Sequence, residues 1–233
     1  MAMMFVLVTG ASGMLGKQLC NQLWRNDIQY VGFDKNVLDI GDSEKLETMF
    51  TTLPITHVVN CAAYTNVGQA ELEPDIAYKI NGYYTETLAD KCKKFRIKLV
   101  HISTDYVFDG HKDMPYSEDD APCPLNIYGR SKLRGEEAVT NLVNDSVILR
   151  IQWLYGLYGD NFIKKILRNY RRNQDVTVIN SELGSPSSAY FISKVIVKVL
   201  KKFDFLFDIL ANMIKENIVA TRITDGDKPV RRA

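Results

Sequence analysis

Short apolar runs alternate along the chain with longer segments that have helical spacing. The apolar runs lack a strict two-residue alternation, which indicates strands buried on both faces, as in a parallel sheet. Five runs predict strands, at Phe5–Thr9, Tyr30–Phe33, His57–Asn60, Lys98–Ile102 and Ser146–Ile151. The segments between them predict helices, at Gly16–Trp24, Ser43–Leu53, Pro74–Phe95 and Asn126–Val143. This repetition of strand and helix predicts a doubly wound α/β sheet.

The pattern loosens after Arg150. A helix around Asp160–Arg172, a strand at Val176–Ile179 and a helix over Ala189–Lys202 are predicted there. Earlier in the chain, the stretch Asp109–Pro124 is rich in Gly, Pro, Asp and Ser and predicts a surface loop.

Composition narrows the class of protein. Lys and Arg number 29 and Asp and Glu 28, so no basic field favours nucleic acid, and no apolar run reaches the length of a membrane span. The start lacks the basic region of a signal peptide and is interpreted as the first strand. The four cysteines and three histidines lack the spacing of a zinc site, so we predict no metal ligands. The cysteines are also too widely spaced for the disulfide framework of a small secreted protein, so we predict a reduced, cytoplasmic protein.

The glycines between the first strand and the first helix predict an anion site. Gly10, Gly13 and Gly16 lie in the segment TGASGMLG. Glycine allows a sharp turn and lets a pyrophosphate approach backbone N–H groups at a helix N-terminus, where the helix dipole favours anions. The segment is therefore a candidate dinucleotide-binding loop, and a tight turn without a ligand is the alternative.

Acidic residues after the second strand refine that prediction. Asp34 ends the strand, where a carboxylate can accept hydrogen bonds from an adenosine ribose. A carboxylate there repels a 2′-phosphate and favours NADH over NADPH, although the neighbouring Lys35 can offset that repulsion. Asp39 and Ile40 can cover the adenine or form a turn that enters the next helix.

A second cluster predicts acid–base chemistry. Tyr128 and Lys132 lie four residues apart on a predicted helix and so share one face, and Thr104 follows the fourth strand. A phenol with a pKa near 10 needs help to act near neutral pH. We expect the Lys132 ammonium to lower the pKa of Tyr128 and to hold the ribose of the cofactor, and the Thr104 hydroxyl to bond the reacting carbonyl or the phenol.

Three segments resemble one family. VVNCAAYT at 58–65, HISTDYVFDG at 101–110 and PLNIYGRSKL at 124–133 are similar to the dTDP-4-dehydrorhamnose reductase family of the extended short-chain dehydrogenase/reductase superfamily. The resemblance covers roughly residues 4–190. It implies a Rossmann-type dinucleotide-binding domain over 1–150, followed by a small, incomplete substrate-binding part over 151–233 that diverges after about 190.

The resemblance also implies an activity, which is reduction by NADPH or NADH of the C4 ketone of a dTDP-4-keto-6-deoxy sugar. Tyr128 would be the proton donor, assisted by Thr104, and Lys132 would orient the ribose. Further cofactor contacts would come from Gly13, Met14, Leu15, Ala63, Tyr64 and Thr65. Contacts to the substrate would come from Trp153, Asp105 and Asn126. A homodimer and a Mg²⁺ requirement are also implied, without assignable ligands.

Departures from the family pattern keep alternatives open. Gly68 and Gln69 replace an acidic–basic pair, Gln152 stands in an unusual sequence before Trp153, and an Asp expected near Phe191 is absent. One alternative is a cofactor-binding protein without turnover, since the resemblance extends to a regulatory subunit of methionine adenosyltransferase. Another is a sugar-nucleotide epimerase or dehydratase, although a dehydratase would usually carry a second acidic residue after Asp105.

Overall fold

The computed structural model describes residues 3–175, 184–203 and 219–223. Its strands are β1 (Phe5–Thr9), β2 (Gln29–Phe33), β3 (His57–Asn60), β4 (Lys98–Thr104), β5 (Ser146–Ile151) and β6 (Val219–Ile223). Its α-helices are α1 (Met14–Arg25), α2 (Ser43–Thr52), α3 (Val67–Leu72), α4 (Pro74–Tyr78), α5 (Tyr84–Phe95), α6 (Ile127–Leu142), α7 (Phe162–Arg171) and α8 (Ala189–Lys201).

The strands form one sheet in the order β2-β1-β3-β4-β5-β6. The first five strands pair in parallel, and β6 pairs antiparallel with β5. The chain order reverses between β1 and β3, and ligands of such sheets bind at the carboxyl ends of the strands beside a reversal of this kind. The predicted doubly wound α/β fold is confirmed.

Helices cover both faces of the sheet, as the continuous apolar strands predict. On one face, Val6, Val8 and Val100 pack in a core with α1 and α8. On the other face, Leu7 and Leu99 pack in a core with α2, α5 and α6. Alternate residues of one strand thus enter opposite cores, and the sheet is held rigidly from both sides.

Most predicted elements occur within two residues of their expected ends, and two of the differences fall between β3 and β4. The predicted helix Pro74–Phe95 contains a π-helical turn at Lys79–Tyr83, and α3 was not predicted. A π turn inserts a residue into the helical ladder and is often found at functional sites. The predicted strand Val176–Ile179 lies outside the described residues.

The C-terminal part contributes to the sheet and to its helical layer. Helix α8 packs against α1 through Ile192, Ile196 and Leu200, which are buried. Strand β6, which the sequence pattern did not predict, extends the sheet beyond β5. The division into two parts at residue 150 stays a prediction.

Candidate active site

The glycine loop bends sharply from β1 into α1 and packs against the strand beside it. Gly10 has a φ of +62°, which favours glycine, and a side chain there would place Cβ 2.7 Å from the Ala62 nitrogen. A Cβ at Gly16 would overlap the Gly10 carbonyl oxygen. The loop is also tied to the end of β2, because the Ala11 N–H donates to the Phe33 carbonyl at 3.0 Å. Its shape therefore requires glycine at both positions.

The N-terminus of α1 is open to an anion. Gly13 is the N-cap, and no side chain of the described residues caps this helix end. Uncapped N–H groups and the helix dipole together attract negative charge. The Leu15 side chain is buried in the core, so only its backbone can contact a ligand, whereas Met14 is half-buried beside Gly156 and Gly159.

The tight packing of the loop predicts a stability difference between two glycine variants. Gly16→Ala is expected to lower the free energy of unfolding by about 1–3 kcal/mol, because the added methyl group would overlap backbone atoms of Gly10 and Ala11, which can move only if the loop is distorted. Gly68→Ala in α3 is the matched control, since nothing lies within 4 Å of its added Cβ, and it is expected to stabilise by up to about 1 kcal/mol. Urea denaturation of both variants checks this, and equal stability would contradict it.

The acidic residues predicted near an adenosine take two different positions. Asp34 follows β2 directly and its carboxylate accepts the Asn36 N–H at 3.0 Å, which leaves further acceptor positions for a ribose. Asp39 accepts the Gly41 N–H at 2.9 Å and so forms a turn. The Ile40 side chain is buried in the same core as Leu7, and the contact of Ile40 with an adenine stays a prediction.

Asn81, which the sequence analysis did not single out, connects two parts of the site. It lies fully buried in the π turn, accepts the Tyr64 N–H at 2.8 Å and donates to the Tyr64 carbonyl at 3.0 Å. Its amide also donates to the Ser131 hydroxyl at 2.9 Å. The segment Ala63–Thr65 is thereby held against α6. Asn and Gly side by side in a helix interior are poor helix formers, and this is the signal in the sequence.

Thr104, Asp105 and Tyr128 meet where β4 ends. The Thr104 hydroxyl donates to the Asp105 carboxylate at 3.0 Å and accepts the Tyr106 N–H at 3.2 Å. Burial raises the pKa of Asp105, against the hydrogen bonding of Thr104 and Gln152. Burial likewise raises the pKa of Tyr128 to about 12, while its interaction with Thr104 acts in the opposite direction.

The expectation that Lys132 lowers the pKa of Tyr128 is wrong for the chain by itself. Desolvation is the largest influence on the phenol, and the nearby Asp105 charge adds to it. The Lys132 amine is turned to β4, where it donates to the Ile102 carbonyl at 2.6 Å and lies 3.3 Å from His101 Nε2. Burial lowers the pKa of Lys132 to about 8.

The remaining predicted substrate contacts lie around the same edge. Asn126 is the N-cap of α6, where its side chain accepts the Gly129 N–H at 2.7 Å, and its contact with a substrate stays a prediction. Trp153 follows β5, is 39% exposed and has a φ of +41°. Such backbone strain is concentrated at ligand sites. The turn is held by Gln152, whose side chain accepts the Ser185 N–H at 2.5 Å.

The described residues offer neither a metal cluster nor a membrane span. They contain no group of three or more His, Cys, Asp or Glu side chains arranged to hold a metal ion. No helix among them is long and apolar enough to cross a membrane.

Comparison with known proteins gives a match that includes the three segments at 58–65, 101–110 and 124–133. A family model described as "RmlD substrate binding domain" matches residues 3–206. The chain belongs to this RmlD family. The chain is 40% identical over 197 residues to the spore coat polysaccharide biosynthesis protein SpsK of Bacillus subtilis, covering 83% of this chain and 69% of that protein. It is 36% identical over 198 residues to a dTDP-4-dehydrorhamnose reductase of Aggregatibacter actinomycetemcomitans, covering 84% and 67% of the two chains.

A solved structure extends the likeness of this RmlD-family chain to three dimensions. The dTDP-4-dehydrorhamnose reductase of Bacillus anthracis in complex with NADP superimposes with a TM-score of 0.83 at 38% identity. The match covers 86% of this chain and 72% of that one. The resemblance stated from the three sequence segments is confirmed, and the chain spans about two thirds of the length of the relatives named here.

Proposed function

We propose that this chain reduces the C4 ketone of a dTDP-4-keto-6-deoxy sugar with NADPH or NADH, converting dTDP-4-dehydrorhamnose to dTDP-L-rhamnose. The observation that carries the proposal is the grouping of Thr104 and Tyr128 at the carboxyl edge of the sheet that also bears the glycine loop. The relatives named as dTDP-4-dehydrorhamnose reductases support the same reaction.

The residues present fit a nicotinamide dinucleotide. The crowded backbone at Gly10 and the uncapped end of α1 suit a pyrophosphate, and Asp34 suits a ribose. The segment Ala63–Thr65 and Lys132 would hold the nicotinamide end. When bound, the reduced cofactor supplies a hydride to the ketone carbon.

Tyr128 is proposed as the proton donor to the C4 oxygen. Because burial raises the pKa of Tyr128 to about 12, its phenol stays protonated over the neutral range, which is the form that a reductase needs. The oxygen of a ketone that receives hydride develops alkoxide character, and an alkoxide is a much stronger base than a phenolate. The proton therefore moves from Tyr128 to the sugar.

Thr104 is proposed to position the carbonyl and the phenol together. Its hydroxyl is held between the Asp105 carboxylate and the Tyr106 N–H, so its orientation is set before a substrate arrives. Asp105 and the exposed face of Trp153 are proposed as contacts to the sugar nucleotide. The Mg²⁺ requirement, the homodimer and the cytoplasmic location stay predictions.

The test is an assay of the purified chain with dTDP-4-dehydrorhamnose and each reduced cofactor. We expect NADPH or NADH to be oxidised in equal amount to the dTDP-L-rhamnose formed, measured by absorbance and by chromatography of the sugar nucleotides. Dinucleotide binding without turnover would instead indicate the regulatory alternative. A changed sugar without net cofactor oxidation would indicate an epimerase or a dehydratase.

A further inference from the structure

Gln152 lies beside Asp105 at the point where β4 and β5 end. In the parallel register of these two strands Thr104 pairs with Ile151, so the residues that follow, Asp105 and Gln152, are placed next to each other. Neighbouring strands lie about 4.8 Å apart, which brings the side chains of adjacent positions within reach of one another. Both side chains are half-buried. The candidate site therefore continues from β4 across to β5.

The orientation of the Gln152 amide is set by a backbone group of the segment 184–188. Gln152 Oε1 accepts the Ser185 N–H at 2.5 Å, and because a backbone N–H can only donate, the amide oxygen must face Ser185. The amide nitrogen Nε2 is then left for Asp105, where its hydrogen bonding to the carboxylate lowers the pKa of that group. An amide nitrogen can only donate, so this contact favours the ionised form of Asp105.

The backbone of Gln152 is bonded to the same segment. Its N–H donates to the Ser187 hydroxyl at 3.3 Å, and its carbonyl accepts the Ser187 N–H at 2.9 Å. The next residue, Trp153, has a φ of +41°, a conformation that persists only where the surroundings impose it. Gln152 thus fixes the backbone that enters the turn of Trp153, and its side chain connects that turn to Asp105.

Gly184 leaves the space that the Gln152 amide occupies. A Cβ at Gly184 would lie 2.5 Å from Nε2 and 2.8 Å from Cδ of Gln152, which is too close for either atom to stay in place. Gly184 does not have a positive φ, so its backbone does not itself require glycine. The side chain of Gln152 therefore accounts for the glycine at this position.

Among the described residues, only uncharged groups donate to the Asp105 carboxylate. These are the Thr104 hydroxyl at 3.0 Å, the Gln152 amide and the backbone N–H groups of Asp105 and Tyr106. The titratable side chains beside it are the phenol of Tyr128 and, in edge-on contact with that ring, the phenol of Tyr106. A carboxylate that no cation neutralises keeps acceptor positions for the hydroxyl groups of a sugar.

We propose that Gln152 is a positioning residue for the sugar nucleotide, which holds the Asp105 carboxylate and the turn of Trp153 in one fixed arrangement so that both contact the sugar together. Gln152 acts through these two side chains and not on the reacting atoms. The inference rests on the proposed function, in which Asp105 and Trp153 are the proposed contacts to the substrate.

Nuclear magnetic resonance of the full chain tests the contact without a substrate. The ¹³Cγ signal of Asp105, assigned by its loss in Asp105→Asn, is titrated in the wild type and in Gln152→Met, which removes the amide from a side chain of similar length. Because the amide lowers the pKa of Asp105, the acid dissociation constant of Asp105 should fall about tenfold in the variant. An unchanged constant in a folded Gln152→Met protein overturns the proposal.

Steady-state kinetics with the 4-keto sugar tests the consequence. Gln152→Met should raise KM for the sugar nucleotide about tenfold, with a smaller change in kcat and an unchanged affinity for NADPH. Gly184→Ala keeps Gln152 but displaces its amide, so it should raise the same KM, whereas Gly68→Ala, whose added Cβ has nothing within 4 Å, should not. A wild-type KM in Gly184→Ala overturns the proposal, and this variant decides if Gln152→Met does not fold.

Gln152→Glu gives a signature that a merely structural role would not. Its carboxylate can still accept the Ser185 N–H, but it faces Asp105, and two adjacent carboxylates share a proton with a raised pKa. Below that pKa the shared proton replaces the amide donor and KM should approach the wild-type value; above it the two charges repel and KM should rise. Gln29→Glu, at the exposed amino end of β2, should show no such pH dependence. A KM of Gln152→Glu that does not change with pH overturns the proposal.

The two readouts separate this proposal from the proposed function. If the wild type reduces no 4-keto sugar, the proposed function fails, and calorimetric binding of the sugar nucleotide to the same variants takes the place of KM. If the wild type and Gln152→Met reduce the sugar with equal KM, the function stands and the proposal for Gln152 is overturned.

Discussion

Replacing Tyr128 with Phe is expected to reduce turnover of the 4-keto sugar about 10²–10⁴-fold, the range that a positioned general acid contributes. The variant keeps the ring that packs edge-on against Tyr106 at 5.7 Å between centroids, so the fold and the cofactor site should be unchanged. The loss should therefore fall on kcat, while the affinity for NADPH, measured by fluorescence titration, stays near that of the wild type.

Tyr170→Phe is the matched control for this experiment. Tyr170 lies on α7 and is 77% exposed. The substitution removes the same phenol hydroxyl at a position away from the proposed site, so turnover should not change. A Tyr128→Phe protein as active as this control would show that Tyr128 is not the acid, and the mechanism proposed for the reductase would have to be abandoned.

The second large effect is expected from Glu136→Ala, on stability. Glu136 and Arg150 form a buried ion pair whose side chains are only 4% and 9% exposed, and Arg150 also lies over the Phe108 ring at 5.0 Å. Removing the carboxylate leaves a buried guanidinium without its partner, which costs about 3–5 kcal/mol. We expect the free energy of unfolding, measured by urea denaturation, to fall by that amount.

Glu137→Ala provides the comparison on the same helix. Glu137 is exposed, so its loss is expected to change the free energy of unfolding by less than about 0.5 kcal/mol. If the two alanine variants unfold at the same urea concentration, the buried pair contributes nothing to the fold. Because Glu136 also raises the pKa of Lys132, its removal should lower that pKa further.

Hydrophobic pattern was enough to predict the central sheet because most residues of β1, β3, β4 and β5 are buried. Strands β1, β3 and β5 begin and end at their predicted residues. Strand β6 pairs at the edge through an antiparallel register that no local pattern encodes. The π turn at Lys79–Tyr83 also escaped prediction, since apolar spacing cannot distinguish it from a continuous α-helix.

The candidate site was predictable only as a set of residue types. Helical spacing correctly predicts that Tyr128 and Lys132 lie on one helix, and position in the sheet predicts Thr104 at its edge. The direction of the pKa shift of Tyr128 was predicted wrongly, because spacing shows a neighbouring cation but does not show burial or where the amine turns. Asn81 was missed because its three hydrogen bonds reach residues far along the chain.

The amino-acid sequence by itself determined the alternation of strands and helices, the glycine turn and the family, since these depend on local spacing and on short contiguous segments. Only the tertiary structure decided which charges are buried and what each polar group faces. His101 illustrates the difference, because its neighbours Asn60 and Lys132 come from another strand and from a helix. Burial and hydrogen-bond direction arise from contacts between distant segments, and those contacts exist only in the folded chain.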